Sequence, residues 1–249
     1  MHEGSLGVLL HRRSELKQNP NGSEGWQMED ILKVSNEAVA SQRIANSLRR
    51  SIIDGTLPPG TRIMQEEIAA QFGASRLPVR EAFRILESEG LVLLRANSGA
   101  WVSKIELSEC IEIYKIREKL EPLALQESVV GLGDTEIDKI ESLCQAIEGT
   151  ADIDVFLRLD REFHLLTYRG CKMRSLMTMV ERFWNTTQHY RRAYASLLGL
   201  EKRWIIDCEH RLLVDAIRRR DVDEGGRILH GHIRRTRLAL EQHENLFRS

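Results

Sequence analysis

Ser75-Arg76-Leu77-Pro78-Val79-Arg80-Glu81-Ala82-Phe83 follows a short apolar stretch, Ile68-Ala69-Ala70-Gln71-Phe72-Gly73, and precedes two β-favouring runs between Leu91 and Val102. Ser75 is a good helix N-cap, and Pro78 falls in the first turn, where its missing N–H breaks no intrahelical bond. The helix is expected to run through Val79, Phe83 and Leu86 to Gly90. Leu91-Val92-Leu93-Leu94 and Ala100-Trp101-Val102 then form a hairpin, joined by the turn chemistry of Arg95-Ala96-Asn97-Ser98-Gly99.

Upstream, Val39, Ile44, Leu48 and Ile52 repeat at helical spacing from Ala38 until Asp54-Gly55, and Leu57-Pro58-Pro59-Gly60 forces a turn. A second helix is expected from about Gln65 to Phe72, ending at Gly73. Three helices followed by a hairpin make a winged helix-turn-helix, which predicts a chain that reads DNA.

A helix in the major groove needs base- and phosphate-reaching side chains at its first turns and an apolar face behind them. Arg76 and Arg80 are four apart and share one face, with Val79, Phe83 and Leu86 on the other. Arg76 is expected to read a base, Arg80 a base or phosphate, and Ser75 to donate to a phosphate. In the wing, Arg95 offers charge and Gly99 lets the backbone approach a phosphate, although a tight turn alone would also need that glycine. The bland reading of Arg76 and Arg80, a solvated face pairing with Glu81 or Glu87, yields to the order of the surrounding motifs.

The 36 basic and 37 acidic residues nearly cancel, so DNA contact must come from a local patch. Ser35 to Lys104 carries nine Lys and Arg against seven Asp and Glu, and Ile105 to Ser249 carries 23 against 25. The four cysteines lie far apart without a C-x-x-C pair, as expected of reduced thiols in a cytoplasmic protein. No apolar run approaches the roughly 20 residues that span a bilayer, and the start lacks a secretory apolar region. An intracellular chain without membrane contact is expected.

The organisation reads as an extension over 1–34, Gly-, Ser- and Asn-rich and expected to be flexible, with one short helix near Met28 to Val34. The winged helix-turn-helix follows over 35–104 and an all-α domain over 105–249. Beyond Ile105 only Pro122 interrupts long apolar-periodic stretches, expected as helices at about Ser108–Val130, Thr135–Glu148, Asp152–Arg169, Met173–Ser196 and Leu200–Asn245, the last broken near Asp221 to Glu224. The fold class is mainly α, with a six- or seven-helix bundle after the wing.

Asp160 and His164 are four apart on one helix face, a spacing that can grip a divalent ion but not complete its shell. His210 and His232 fall on two later helices that can face back across the bundle, and an Asp with three His suits zinc, nickel or manganese. Arg117 is placed either to meet an effector carboxylate or to pair with Glu121 four residues on. Asn185, Gln188 and Arg192 recur at helical spacing and line either a polar cavity or a wet face.

Ile53-Asp54-Gly55-Thr56-Leu57-Pro58-Pro59-Gly60, the run SRLPVREAFRILESEGLV from Ser75 to Val92, and Ser98-Gly99-Ala100-Trp101-Val102 closely resemble the N-terminal domain of GntR-family bacterial transcription regulators over roughly residues 38 to 104. That resemblance implies a dimer on a palindromic double-stranded operator, with Arg76, Arg80 and Gly99 at DNA-contacting positions. Roughly residues 107 to 240 resemble the FadR-type ligand domain called FCD, through Tyr114-Lys115-Ile116-Arg117-Glu118-Lys119-Leu120-Glu121-Pro122-Leu123-Ala124, the Asp160 to His164 element, His210 and His232. In metal-binding members one Asp and three His hold an ion beside an effector cavity, and these map onto Asp160, His164, His210 and His232. The sequence departs from the family after the histidine helix, with Tyr168-Arg169-Gly170-Cys171-Lys172 where a small-Gly-Asn turn is usual.

The function implied is a repressor whose operator affinity responds to a small carboxylate beside a divalent metal. One alternative keeps DNA binding but makes the metal purely structural. Another, a metal-dependent hydrolase, lacks a motif such as H-E-x-x-H to supply a general base and leaves the winged helix without a purpose.

Overall fold

Helix α1 runs unbroken over Met28–Ile53, followed by β1 (Arg62–Ile63), α2 (Gln65–Phe72), α3 (Arg76–Ser88), β2 (Val92–Arg95) and β3 (Gly99–Val102). Six further helices follow: α4 (Leu107–Val129), α5 (Asp134–Glu148), α6 (Ile153–Thr167), α7 (Arg174–Leu198), α8 (Trp204–Arg218) and α9 (Val222–Glu241), with a 3₁₀ turn at Glu244–Phe247. The computed structural model describes residues 28–95, 99–199 and 203–247, with side chains from Asn36 onward. The short helix expected near Met28 is therefore the start of α1, since no Gly or Pro between Met28 and Ala38 interrupts the backbone. The rest of the expected extension, and the wing turn at Ala96-Asn97-Ser98, lie outside the described residues.

From Ala40 the chain packs as one unit with two apolar cores. In the first, Val79, Phe83 and Leu86 of α3 are buried against Ile44 and Leu48 of α1, Ile68 of α2 and Val92 and Val102 of the sheet. Each such side chain contributes roughly 1.5–3 kcal/mol on leaving water, which holds α3 firmly by one face and leaves the other free. Helix α2 ends as expected at Gly73, in the left-handed region at φ 58°.

The wing has one strand more than the sequence predicts. The sheet order is β1-β3-β2, all antiparallel, with Arg62 opposite Trp101 and Arg95 opposite Gly99. A two-residue strand carries no alternation to read; its pairing is a tertiary event.

In the second core, α9 packs along α4, while α5 packs on α6 and α8. Pro122 sits inside α4. Having no N–H, it leaves the carbonyl of Glu118 one turn back without its helical partner, and His230 Nδ1 on α9 lies 2.9 Å from that oxygen. The α6–α7 connection, where the sequence departs from the family pattern, is anchored on the end of α4. Gly170 N–H donates to Ser128 Oγ at 2.8 Å, and a Cβ at Gly170 would stand 2.2 Å from the Ser128 carbonyl oxygen, so only glycine fits.

Among the described residues, no helix is long and apolar enough to cross a membrane. All four cysteines are free; burial pushes the thiols of Cys110 and Cys144 up to about 12, so both stay protonated.

Candidate functional site

The exposed face of α3 and the wing form one concave surface of about 590 Å³, lined by Arg62, Arg76, Arg80, Arg84 and Arg95 with Gly99. Ser75 precedes α3 in extended conformation, and its exposed hydroxyl accepts no capping bond. Arg76 pairs with Glu66 at 2.6 Å, both largely exposed, a contact weak enough to exchange for a phosphate or base. Arg80 is exposed, with no ion-pair partner among the described residues. Arg95 lies over the Trp101 ring at 5.0 Å, and Arg62 lies over it at 5.8 Å.

Gly99 has a structural reason of its own: φ is 88°, and a Cβ there would meet the Ile63 carbonyl oxygen at 3.0 Å. The surface thus brings together Arg76, Arg80, Arg95 and Gly99, leaves Ser75 outside its lining at the start of α3, and adds Arg62 and Arg84. Arg62 belongs to the unforeseen strand; Arg84 lies one turn beyond Arg80, a spacing that gave a signal.

In the helical half, His164 of α6, His210 of α8 and His232 of α9 each offer a ring nitrogen within 4.8 Å of the others. The Nε2 atoms of His164 and His210 are 3.3 Å apart, the edge of a tetrahedron whose nitrogens stand about 2.0–2.1 Å from a central ion. Glu209 Oε2 lies 2.9 Å from His232 Nδ1, so that nitrogen carries the proton and Nε2 keeps its lone pair for the centre.

Burial holds His164 well below its ordinary pKa and His210 down to about 3, with the neighbouring imidazoles adding to the effect and Asp160 opposing it. Both are therefore neutral and able to ligate. Three imidazoles at this spacing fit a transition-metal ion, so the cluster could hold one.

Asp160 is brought to the same point. Its Oδ1 lies 3.7 Å from His164 Nε2 and 3.5 Å from His210 Nε2, while Oδ2 accepts from Arg191. Burial pushes this carboxyl up, but Arg191 and the three histidines outweigh it and hold it below the usual carboxylate range.

These shifts set an acid limit. An imidazole with a depressed folded pKa destabilises the fold only where the unfolded chain binds the proton and the folded one does not. Metal-stripped protein is expected to be equally stable from pH 8 to about 6.5 and then to weaken by up to about 1.4 kcal/mol per pH unit for each such histidine. For His210 the weakening extends down to about pH 3, and Asp160 adds to it below its own ordinary pKa. Urea unfolding at stepped pH checks this, and a flat profile between pH 6.5 and 4.5 would contradict it.

Beside the triad is a cavity of about 20 Å³ lined by Arg117, Tyr114, Glu121, Trp184 and Arg191 together with His164 and His232. Arg117 thus reaches the cavity and also pairs with Glu121 at 2.5 Å, the alternative its spacing suggested. Its Nη1 donates to Thr187 Oγ1 at 2.9 Å.

Asn185, Gln188 and Arg192 line neither this cavity nor the one on the far side of Arg191, among the described residues. They lie on the neighbouring face of α7, against the winged helix. Asn185 Nδ2 donates to the Glu89 carbonyl at the end of α3 at 3.0 Å, and its Oδ1 accepts from Arg161 at 2.6 Å. Gln188 faces Leu57 and Leu91. Arg192 pairs with Asp154 and stands 3.2 Å from where a Gly55 Cβ would be.

The side of α7 toward the triad is instead Trp184 and Arg191, with Thr187 between them holding Arg117, one residue out of step with Asn185, Gln188 and Arg192. Adjacent residues lie about 100° apart around a helix, and nothing local says which face turns inward. Glu209 and Arg191, both unforeseen, gave no signal of their own in sequence.

Residues 40–102 match the family described as bacterial regulatory proteins, gntR family, and residues 112–235 match the FCD domain. An uncharacterised HTH-type transcriptional regulator of Bacillus subtilis, YdhC, is 31% identical over 181 residues, covering 71% of this chain and 80% of that protein. The transcriptional repressor RspR of Escherichia coli is 27% identical over 206 residues, covering 81% and 89%. Among solved structures, Escherichia coli McbR/YncC has the same fold with a TM-score of 0.71 at 22% identity, over 82% of this chain and 97% of that one. A GntR-family member from Pseudomonas syringae aligns with a TM-score of 0.51 at 32% identity, over 82% and 86%. The chain belongs to the GntR family of DNA-binding bacterial transcription regulators, in the branch whose C-terminal half is an FCD domain.

Proposed function

We propose that this regulator is a cytoplasmic homodimeric repressor that releases its palindromic operator when a small carboxylate binds the helical domain beside a divalent metal. The domains doing this are 35–104, which reads DNA, and 105–249, which binds ligand and dimerises. The observation that carries the reading is a buried His triad opening onto a cavity edged by two guanidinium groups, Arg117 and Arg191. Arg117 and Arg191 already pair with Glu121 and Asp160, but the arginine fork suits a carboxylate and Arg191 Nη1 is still without an acceptor.

On the DNA side, Arg76 and Arg80 meet base edges or phosphates in the major groove, Ser75 donates to a phosphate, and Arg95 and Gly99 bring the wing to the backbone. In the helical domain His164, His210 and His232 hold the ion, zinc, nickel or manganese, with Asp160 Oδ1 turned toward it as the fourth ligand. When bound, the ion supplies a fixed positive charge for a carboxylate oxygen. Arg117 and Arg191 orient the rest of the anion, and Tyr114 and Trp184 wall it from water. The repressor RspR among the relatives supports the sign of control.

Metal-stripped protein titrated with zinc, nickel or manganese is expected to melt higher, by an amount equivalent to about 2.7 kcal/mol at a hundredfold excess over Kd. His210→Ala should lose most of its bound metal while its operator affinity without ligand stays within a few-fold. Equal metal content in wild type and variant overturns the site; metal stabilisation with no response to any carboxylate reduces the ion to a structural one.

A further inference from the structure

We infer that the ligand is a monocarboxylate bearing a short hydrocarbon substituent, its carboxylate at the His triad and its hydrocarbon in an apolar chamber beyond Arg191. The inference rests on the effector reading above and adds the substituent.

Two cavities flank the Arg191 side chain. The one beside the triad, about 20 Å³, carries Arg117, Tyr114, His164 and Trp184. The other, about 30 Å³, carries Phe156, Leu157, Ala195, Leu198 and Ile206, with Tyr194 and the edge of Asp160. Arg191, His232 and Thr236 belong to the walls of both. Arg191 is therefore the partition: its guanidinium lies over Trp184 at 4.0 Å and reaches Asp160. Swinging that side chain about its own torsions joins the two spaces without moving a helix.

The partition also carries an unused donor. Arg191 Nη1 is buried with no hydrogen-bond partner among the described residues, and a buried donor in that state is costly until an acceptor reaches it. A carboxylate lying between Arg117 and the triad supplies the acceptor.

The second chamber recognises something different. Five of its walls are aliphatic or phenyl and offer no hydrogen bond. Thr236 Oγ1 is directed at the His232 carbonyl at 3.4 Å, which leaves the Tyr194 hydroxyl as the principal uncommitted polar group. The nearby cation Arg203 lies over Phe156 at 4.1 Å but spends its Nη atoms on the carbonyls of Ile147 and Thr150, and it does not line the chamber.

A polyhydroxylated acid would bury most of its hydroxyls here without partners, and a second carboxylate would find no cation but Arg191, which the first one already occupies. A hydrocarbon loses nothing and leaves water. Each space has room for only one or two water-sized groups, so the substituent is limited to a few carbons.

The test is calorimetry on the full-length protein loaded with zinc, using acetate, butanoate, gluconate and succinate. We expect butanoate to bind at least tenfold more tightly than the other three. Ala195→Phe, which fills the chamber, should erase that preference while leaving acetate affinity and zinc content unchanged. If that variant does not fold, Leu198→Gln, at a half-buried wall position, should cut butanoate affinity about tenfold with the same controls. Tighter binding of gluconate or succinate overturns this inference and leaves the effector reading standing. Binding of none of the four acids overturns the effector reading and this inference with it, and a preference that survives both substitutions overturns the location of the chamber.

Discussion

Replacing Glu121 by alanine is expected to cost about 3–5 kcal/mol of folding stability, the range for removing one partner of a buried ion pair. Glu121 is fully buried in the middle of α4. One carboxylate oxygen accepts from Arg117 Nε at 2.5 Å, and the other accepts from Tyr168 Oη at 2.8 Å and Trp184 Nε1 at 3.0 Å. Arg117 is buried too; burial works against its charge, and Glu121 more than compensates, holding its pKa above the ordinary value. Without the carboxylate, a buried guanidinium, a phenol and an indole N–H all lose their acceptor at once. Glu121→Gln keeps the shape and an acceptor and should fall between the two. Urea denaturation of the metal-stripped protein measures the effect, and a loss under about 1 kcal/mol would mean that solvent reaches the cluster.

The second large effect is expected at the reading head, where Arg80→Ala should abolish operator binding and leave the melting temperature unchanged. Arg80 is exposed on the free face of α3, and the core behind it is formed by Val79, Ala82 and Phe83, so its loss opens no cavity. One bidentate base contact is worth about 1–3 kcal/mol, and the proposed dimer on a palindrome would lose it twice. The decisive measurement is a titration on operator DNA selected from random sequence, repeated across salt. Wild-type affinity should fall steeply as salt rises, and unchanged binding by the variant would remove α3 from the groove.

Why the winged helix was readable and the ligand cavity only partly so follows from where the information sits. Ser75, Pro78 and the stride Val79, Phe83, Leu86 act within a dozen residues, so their local physics announces cap, first turn and buried face together. Asp160 and His164 likewise share one helical turn, but that spacing could not complete a metal shell, and only the family resemblance joined His210 and His232 to them. Strand β1 was invisible because it exists only through its pairing with β3. Asn185, Gln188 and Arg192, which the sequence left open between a cavity lining and a wet face, contact the winged helix, about 100° around α7 from the side of Trp184 and Arg191. Glu209 escaped notice because its role lies in aiming His232 across two helices, a relation with no local spacing.

The double use of α7 has a mechanical consequence. Trp184 and Arg191 edge the cavity, and one step around the helix Asn185 Nδ2 holds the Glu89 carbonyl just past the end of α3 at 3.0 Å. Side-chain atoms stand about 5 Å from a helix axis, so a roll of about 10° carries them about 1 Å, as much as a hydrogen bond can stretch before it fails. The helix is thus placed as an axle: a push on the Trp184 side would reach the reading head as torque, and the Asn185 hydrogen bond would set the angle at which it slips.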